Sequence, residues 1–195
     1  FLCVLKARSI AGDLKQGKVM HDQFITKGIE SDVVSGTRFV DFYARCGALK
    51  EAQRMFDRMD DRNIVSWGAL LAGYVQHGQF HEALSCFEKM QKDGLSPDSV
   101  TYICILKACG NIGDIGKGKQ IHDEIMRMGL LWKDVMLGTA LVDMYVKCGL
   151  STKAQEILDE LPIRDVVSWS VLISGYAQEG HFQEALKCLE HMQSE

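Results

Sequence analysis

Seven cysteines and six histidines are the residues of this 195-residue chain best suited to nucleophilic or metal chemistry. Their spacing argues against both. There is no C-x-x-C and no H-E-x-x-H, the spacings that bring metal ligands to one side of an ion. No Ser-His-Asp or Cys-His arrangement can be argued from spacing. No glycine loop precedes a basic residue in phosphate-binding order. The cysteines instead recur in matched slots. Cys46 and Cys148 fall in YARCG and YVKCG, Cys86 and Cys188 in EALSC and EALKC, Cys3 and Cys104 in FLCVLKA and YICILKA. Only Cys109 is single, opposite Arg8. His21 and His122 share a slot in MHDQF and IHDEI. A residue that returns to the same slot is first a packing residue, and free cysteine packs as a small hydrophobe. Thiols used this way suit a reducing compartment. Catalytic residues, bound metal and cofactors are therefore expected to be absent from this segment.

The elements that position these residues are repeats. Ile64–Asp93 and Val166–Glu195 align without a gap, 102 residues apart, with 16 identities in 30 positions. A recurring unit of 20–50 residues builds an array, in which each unit buries its apolar face on its neighbours. Gly12, Gly47, Gly78, Gly113, Gly149 and Gly180 each interrupt a helical apolar pattern, and Gly28, Gly94 and Gly129 close the next, where a left-handed helix end favours glycine. Leu70, Leu71, Tyr74 and Val75 form one stripe; Phe80, Ala83, Leu84, Phe87 and Met90 form the next. Each unit reads as two antiparallel helices, with no strand pattern of comparable strength. Gly73 and Ala83, repeated as Gly175 and Ala185, are expected to let the paired helices approach closely. Unit boundaries fall after Asp or Asn. They give 1–32 (lacking its start), 33–63, 64–98, 99–134, 135–165 and 166–195 (lacking its end), one array in all. The complete units run 31, 35, 36 and 31 residues, an alternation that a tetratricopeptide array would not show.

Composition narrows the function classes. The chain is 47% apolar and 25% charged, ordinary for a soluble folded protein. No apolar run reaches the length of a membrane span. The formal net charge of −4 argues against a strong nonspecific polyanion binder, whose affinity comes from clustered Lys and Arg.

Particular segments carry a family resemblance. MDDRNIVSWGALLAGYVQHGQFHEALSCFEKMQ (59–91) and VVSWSVLISGYAQEGHFQEAL (166–186) closely resemble pentatricopeptide repeats. TYICILKACGNIGDIGKGKQIHDEIMRMGL (101–130) resembles the long variant, and GTALVDMYVKCG (138–149) the short variant. The order long, short, P-type, twice over, resembles the PLS class. The resemblance implies an all-α, right-handed superhelical solenoid of helix-turn-helix repeats. It implies binding to single-stranded RNA, about one base per repeat, as a specificity module for C-to-U editing or processing of an organelle transcript. It also implies a mitochondrial or chloroplast location, editing-complex proteins as further partners and a monomeric chain. The catalytic module of such proteins lies beyond the repeats.

By the same resemblance, bases are read by the fifth and last residues of a repeat. These are Thr37 with Asn63 (adenine), Gly68 with Asp98 (weak, since glycine has no side chain to read with), and Thr139 with Asp165 (guanine). Ser170 stands alone as a purine-type choice. The long repeats carry Leu2 with Asp32 and Ile103 with Asp134, and apolar fifth residues cannot hydrogen-bond a base edge. The second residues, Val34, Val65, Val100, Met136 and Val167, would wedge beside bases, with helix-start packing as the plain alternative. Arg45 and Lys147 would approach phosphate, with a solvated surface charge as theirs. Asp32, Asn63, Asp98, Asp134 and Asp165 are also ideal N-caps. Trp67 and Trp169 invite base stacking but share a helical slot with Tyr102, so packing between helices is expected. A peptide-binding or scaffolding helical repeat is the alternative function, and the charge fits it no worse.

Overall fold

A computed structural model of the chain describes residues 13–25 and 33–194. Leu2, Cys3, Arg8, Gly12, Gly28 and Asp32 lie outside the described residues. Those described are helical throughout, without strands: α1 (Leu14–Ile25), α2 (Val33–Arg45), α3 (Leu49–Asp57), α4 (Ile64–Gln76), α5 (Phe80–Lys92), α6 (Ser99–Ile112), α7 (Ile115–Arg127), α8 (Val135–Lys147), α9 (Ser151–Glu160), α10 (Val166–Gln178) and α11 (Phe182–Ser194). The chain divides into two compact units, 1–101 and 102–195.

Within the first unit, α2 packs beside α4, and α3 packs on both. The second unit repeats this with α8, α10 and α9. In each unit a first helix thus lies beside the next first helix, and the second helix between them in sequence bridges the two. Phe39, Val40, Phe42, Phe56, Leu70, Leu71 and Phe87 are essentially fully buried in the first unit, and Leu137, Leu141, Tyr145, Leu158 and Leu172 in the second. This is the burial that no single hairpin supplies.

Helix ends follow a repeated chemistry. At Gly78, φ is +72°, and the chain reverses with Gln79 N–H donating to the Tyr74 carbonyl at 2.8 Å. Gly180, at φ +79°, does the same through His181 N–H and the Tyr176 carbonyl, also 2.8 Å. This glycine-dependent closure satisfies carbonyls left open at a helix C-terminus.

The unequal unit lengths reside in the second helices. α3 has 9 residues and α9 has 10, against 13 in α5 and α11. The deficit is about one turn. An arginine closes each shortened helix. Arg62 donates from Nε to the Phe56 carbonyl (3.2 Å) and from Nη2 to the Asp57 carbonyl (3.0 Å), with its guanidinium 5.1 Å over the Phe56 ring. Arg164 donates likewise to the Leu158 and Asp159 carbonyls, both at 3.1 Å.

One expectation needs correction. Gly73 does not serve the approach of α4 to its partner α5. A Cβ there would lie 2.5 Å from the Ala44 Cβ on α2. A Cβ on Gly175 would meet Val146 at 2.6 Å and Ser151 at 2.8 Å. Both glycines serve contact with the preceding hairpin, because first helices stack on first helices.

Candidate nucleic-acid interface

The boundary residues are helix caps at all four described positions. Asn63 Oδ1 accepts from Val65 N–H and Ser66 N–H, both at 3.0 Å, and Ser66 Oγ closes a capping box by accepting from Asn63 N–H at 3.0 Å. Asp98 Oδ1 accepts from Thr101 N–H (2.9 Å) and Thr101 Oγ1 (2.7 Å). Asp134 Oδ1 accepts from Met136 N–H (3.0 Å) and Leu137 N–H (3.3 Å), and Asp165 Oδ1 from Ser168 N–H (2.8 Å). One oxygen does the capping in each case, and asparagine and aspartate both possess it. The second terminal atom, Nδ2 of Asn63 or Oδ2 of the aspartates, takes no part in the cap. The two residue types differ only at that atom, a donor in one and an acceptor in the other.

In the first unit these caps open onto a groove of about 500 Å³ between α2 and α4. Its lining includes Val34, Thr37 and Arg45 from α2, Asn63, Val65 and Gly68 from the next repeat, and Asp98 and Val100 from the one after. All eight interface residues expected in this unit therefore share one groove. Thr37 is 8% exposed, and its buried Oγ1 has no hydrogen-bond partner, a cost that a bound polar group would offset. A Cβ on Gly68 would meet nothing within 4 Å, so packing does not require glycine there.

The second residues are not packed at helix starts. Val34, Val65, Val100, Met136 and Val167 are between 56% and 71% exposed. In the second unit Thr139 Oγ1 donates to the Val135 carbonyl (3.1 Å) and Ser170 Oγ to the Val166 carbonyl (2.6 Å), so these hydroxyl protons are used within the helix.

The two expected phosphate cations are each held by an acid one turn back. Arg45 Nε lies 2.8 Å from Asp41 Oδ1, and Lys147 Nζ lies 2.7 Å from Asp143 Oδ2. Trp67 and Trp169 are both 3% exposed, with Trp67 edge-on to Phe56 at 4.4 Å between ring centroids. They pack between helices and do not present a stacking face. His122 Nδ1 lies 2.9 Å from the Tyr145 hydroxyl, and His21 Nδ1 2.8 Å from Tyr43. Burial pushes the Cys86 and Cys109 thiols up to about 12, so neither is a nucleophile at neutral pH. Among the described residues no cluster of His, Cys, Asp or Glu is placed to hold a metal, and no helix is long and apolar enough to cross a membrane.

Models of the PPR repeat match residues 37–64, 100–130, 139–166 and 167–195, and a second PPR repeat model matches 62–111. The chain belongs to the pentatricopeptide repeat (PPR) family. Among similar Arabidopsis thaliana proteins, the pentatricopeptide repeat-containing protein At4g18520, chloroplastic, is 39% identical over 97% of this chain and 30% of its own length. At3g53360, mitochondrial, is 32% identical over 100% of the chain and 25% of its own length. The PPR chain therefore spans less than a third of these relatives. The crystal structure of the pentatricopeptide repeat protein PPR10 in complex with an 18-nt psaJ RNA element superposes with a TM-score of 0.79 at 19% identity, over 99% of this chain and 29% of that one. The crystal structure of the pentatricopeptide repeat protein PPR10 from maize gives 0.78 at 21% identity, over 100% and 29%. The fold is that of these PPR structures.

Arg38 also lines the groove of the PPR chain, and sequence reading passed over it. Its counterpart one triplet later is Ala140. A difference between copies was the available signal.

Proposed function

We propose that this PPR chain binds single-stranded RNA at about one base per repeat, as the specificity module of an organelle RNA editing or processing factor of the PLS class. The observation that carries the reading is the α2–α4 groove, where exposed apolar Val34 and Val65 flank Thr37, whose buried Oγ1 is unpaired, and the Nδ2 of Asn63 that the cap leaves over. Unstacked bases are recognised this way, with apolar side chains against the faces and small polar groups on the Watson–Crick edge. Nδ2 of Asn63 would donate to adenine N1, while Oδ2 of Asp165 would accept from guanine N1–H. PPR10 with its bound RNA and the organelle designations of the relatives support the same reading. Catalysis would be supplied outside this segment, and the segment would act as a monomer in a mitochondrion or chloroplast, alongside editing-complex proteins.

Selection from a randomised RNA pool tests this. Adenine is expected at the 33–63 step and guanine at the 135–165 step. Enriched RNAs without purine preference at those two steps would sink base reading. Asn63→Asp is expected to move its step from adenine to guanine with an unchanged melting temperature, because Oδ1 still caps α4. A lower melting temperature with no change in preference would leave only the cap. The scaffolding alternative gains no specific support from the groove.

A further inference from the structure

The groove contains one cation that no acid neutralises. Arg38 is exposed, lines the groove, and has no ion-pair partner among the described residues. Arg45, on the same helix face two turns on, is already engaged by Asp41.

α4 lines the groove with Ile64 and Val65 and, over the next two turns, with only small groups: Gly68, Ala69 and Ala72. The triplet's second copy reverses this arrangement. There Ala140 replaces Arg38, while Ser170, Val171 and Ser174 replace Gly68, Ala69 and Ala72. Bulk removed from α4 in one copy is thus present on α2 in that copy. The 64–98 repeat lacks a fifth side chain, the space at Gly68 is open, and a long cationic side chain shares that space.

We infer that Arg38 supplies the missing base contact of the 64–98 repeat, acting with Asp98 to select a keto base. This rests on the RNA-binding reading and deepens it. The chemistry is complementary. Asp98 Oδ2, left over from the cap, can only accept; set against the ring position of the base, as proposed for Oδ2 of Asp165, it takes an imino N–H. The Arg38 guanidinium can only donate; at the adjoining exocyclic position it takes a carbonyl oxygen and rejects an amino group. Guanine and uracil present an imino N–H beside a carbonyl on one edge; adenine and cytosine present an amino group beside an unprotonated ring nitrogen. Guanine also offers N7, which suits the guanidinium fork.

The experiment measures affinity of the 195-residue chain for four RNAs that differ only at the 64–98 step, with adenine fixed at the 33–63 step. Wild type is expected to bind the guanine and uracil RNAs roughly tenfold tighter than the other two, the scale of one good hydrogen-bonded pair. Arg38→Ala should collapse that ratio towards one and leave the preference at the 33–63 step intact. Arg38→Lys keeps the charge but loses the fork, so it should retain most of the overall affinity and lose most of the ratio. Arg38 is exposed, so neither variant should shift the melting temperature. A ratio unchanged in Arg38→Ala, or an equal loss for all four RNAs, overturns the inference while base reading elsewhere stands. Absence of RNA binding by wild type overturns the RNA reading itself, and this inference with it.

Discussion

Asn63 and Gly68 differ in what the fold asks of them. Asn63 spends Oδ1 on α4, so Asn63→Ala should cost about 1 kcal/mol, the usual price of an N-cap, and chemical denaturation would reveal it. Gly68 spends nothing on packing. Its helical position and open surroundings predict that Gly68→Ala raises stability by up to about 1 kcal/mol; a loss on the same measurement would mean that the space is not open. His122 tests burial. Desolvation holds its imidazole below the ordinary 6.5, against a smaller upward pull from Asp123. The unfolded chain therefore takes up this proton at a higher pH than the folded one. Stability is full above about pH 6.5 and declines as pH falls below that value towards the folded one. His122→Gln should remove part of the acid sensitivity below pH 6.5 in melting experiments. The sequence marks Asn63 as a cap and, by resemblance, as a base-reading residue but cannot assign the two roles to atoms, because it does not say which terminal atom is committed to the helix.

Elements were the most legible level. The glycine breaks and apolar stripes gave the hairpins, since helix periodicity and left-handed turns are local. What was illegible is non-local. Gly73 sits on α4, yet the atom it must avoid is Ala44 on α2, and no spacing within one repeat reveals that. Gly73→Val should cost about 1–3 kcal/mol by overpacking, while the same change at Gly68 should be far milder; equal costs would contradict the stacking described. The arginine closures were likewise invisible, because Arg62 and Arg164 act across a six-residue gap on carbonyls that exist only once α3 and α9 stop short. Arg164→Lys should destabilise the second unit, since an ammonium cannot span both carbonyls with one planar fork.

On the proposed function, the charge of the chain as a whole governs how it would find RNA. A net charge of −4, with Arg45 and Lys147 held by their own acids, leaves little to attract phosphate at a distance. The logarithm of affinity should fall with the logarithm of salt at a slope of roughly −2 or shallower, given about −0.7 per phosphate neutralised on a single strand. A slope much steeper would place the binding energy on the backbone and not on the bases. Selectivity in such a molecule depends on contacts made after encounter. The shared duty of the boundary residue then has an evolutionary side. On the proposed reading, exchanging Asn for Asp would alter the message that is read without weakening the helix it starts. The target sequence can drift through a series of equally stable proteins, and a new transcript can be acquired without first surviving a fragile intermediate.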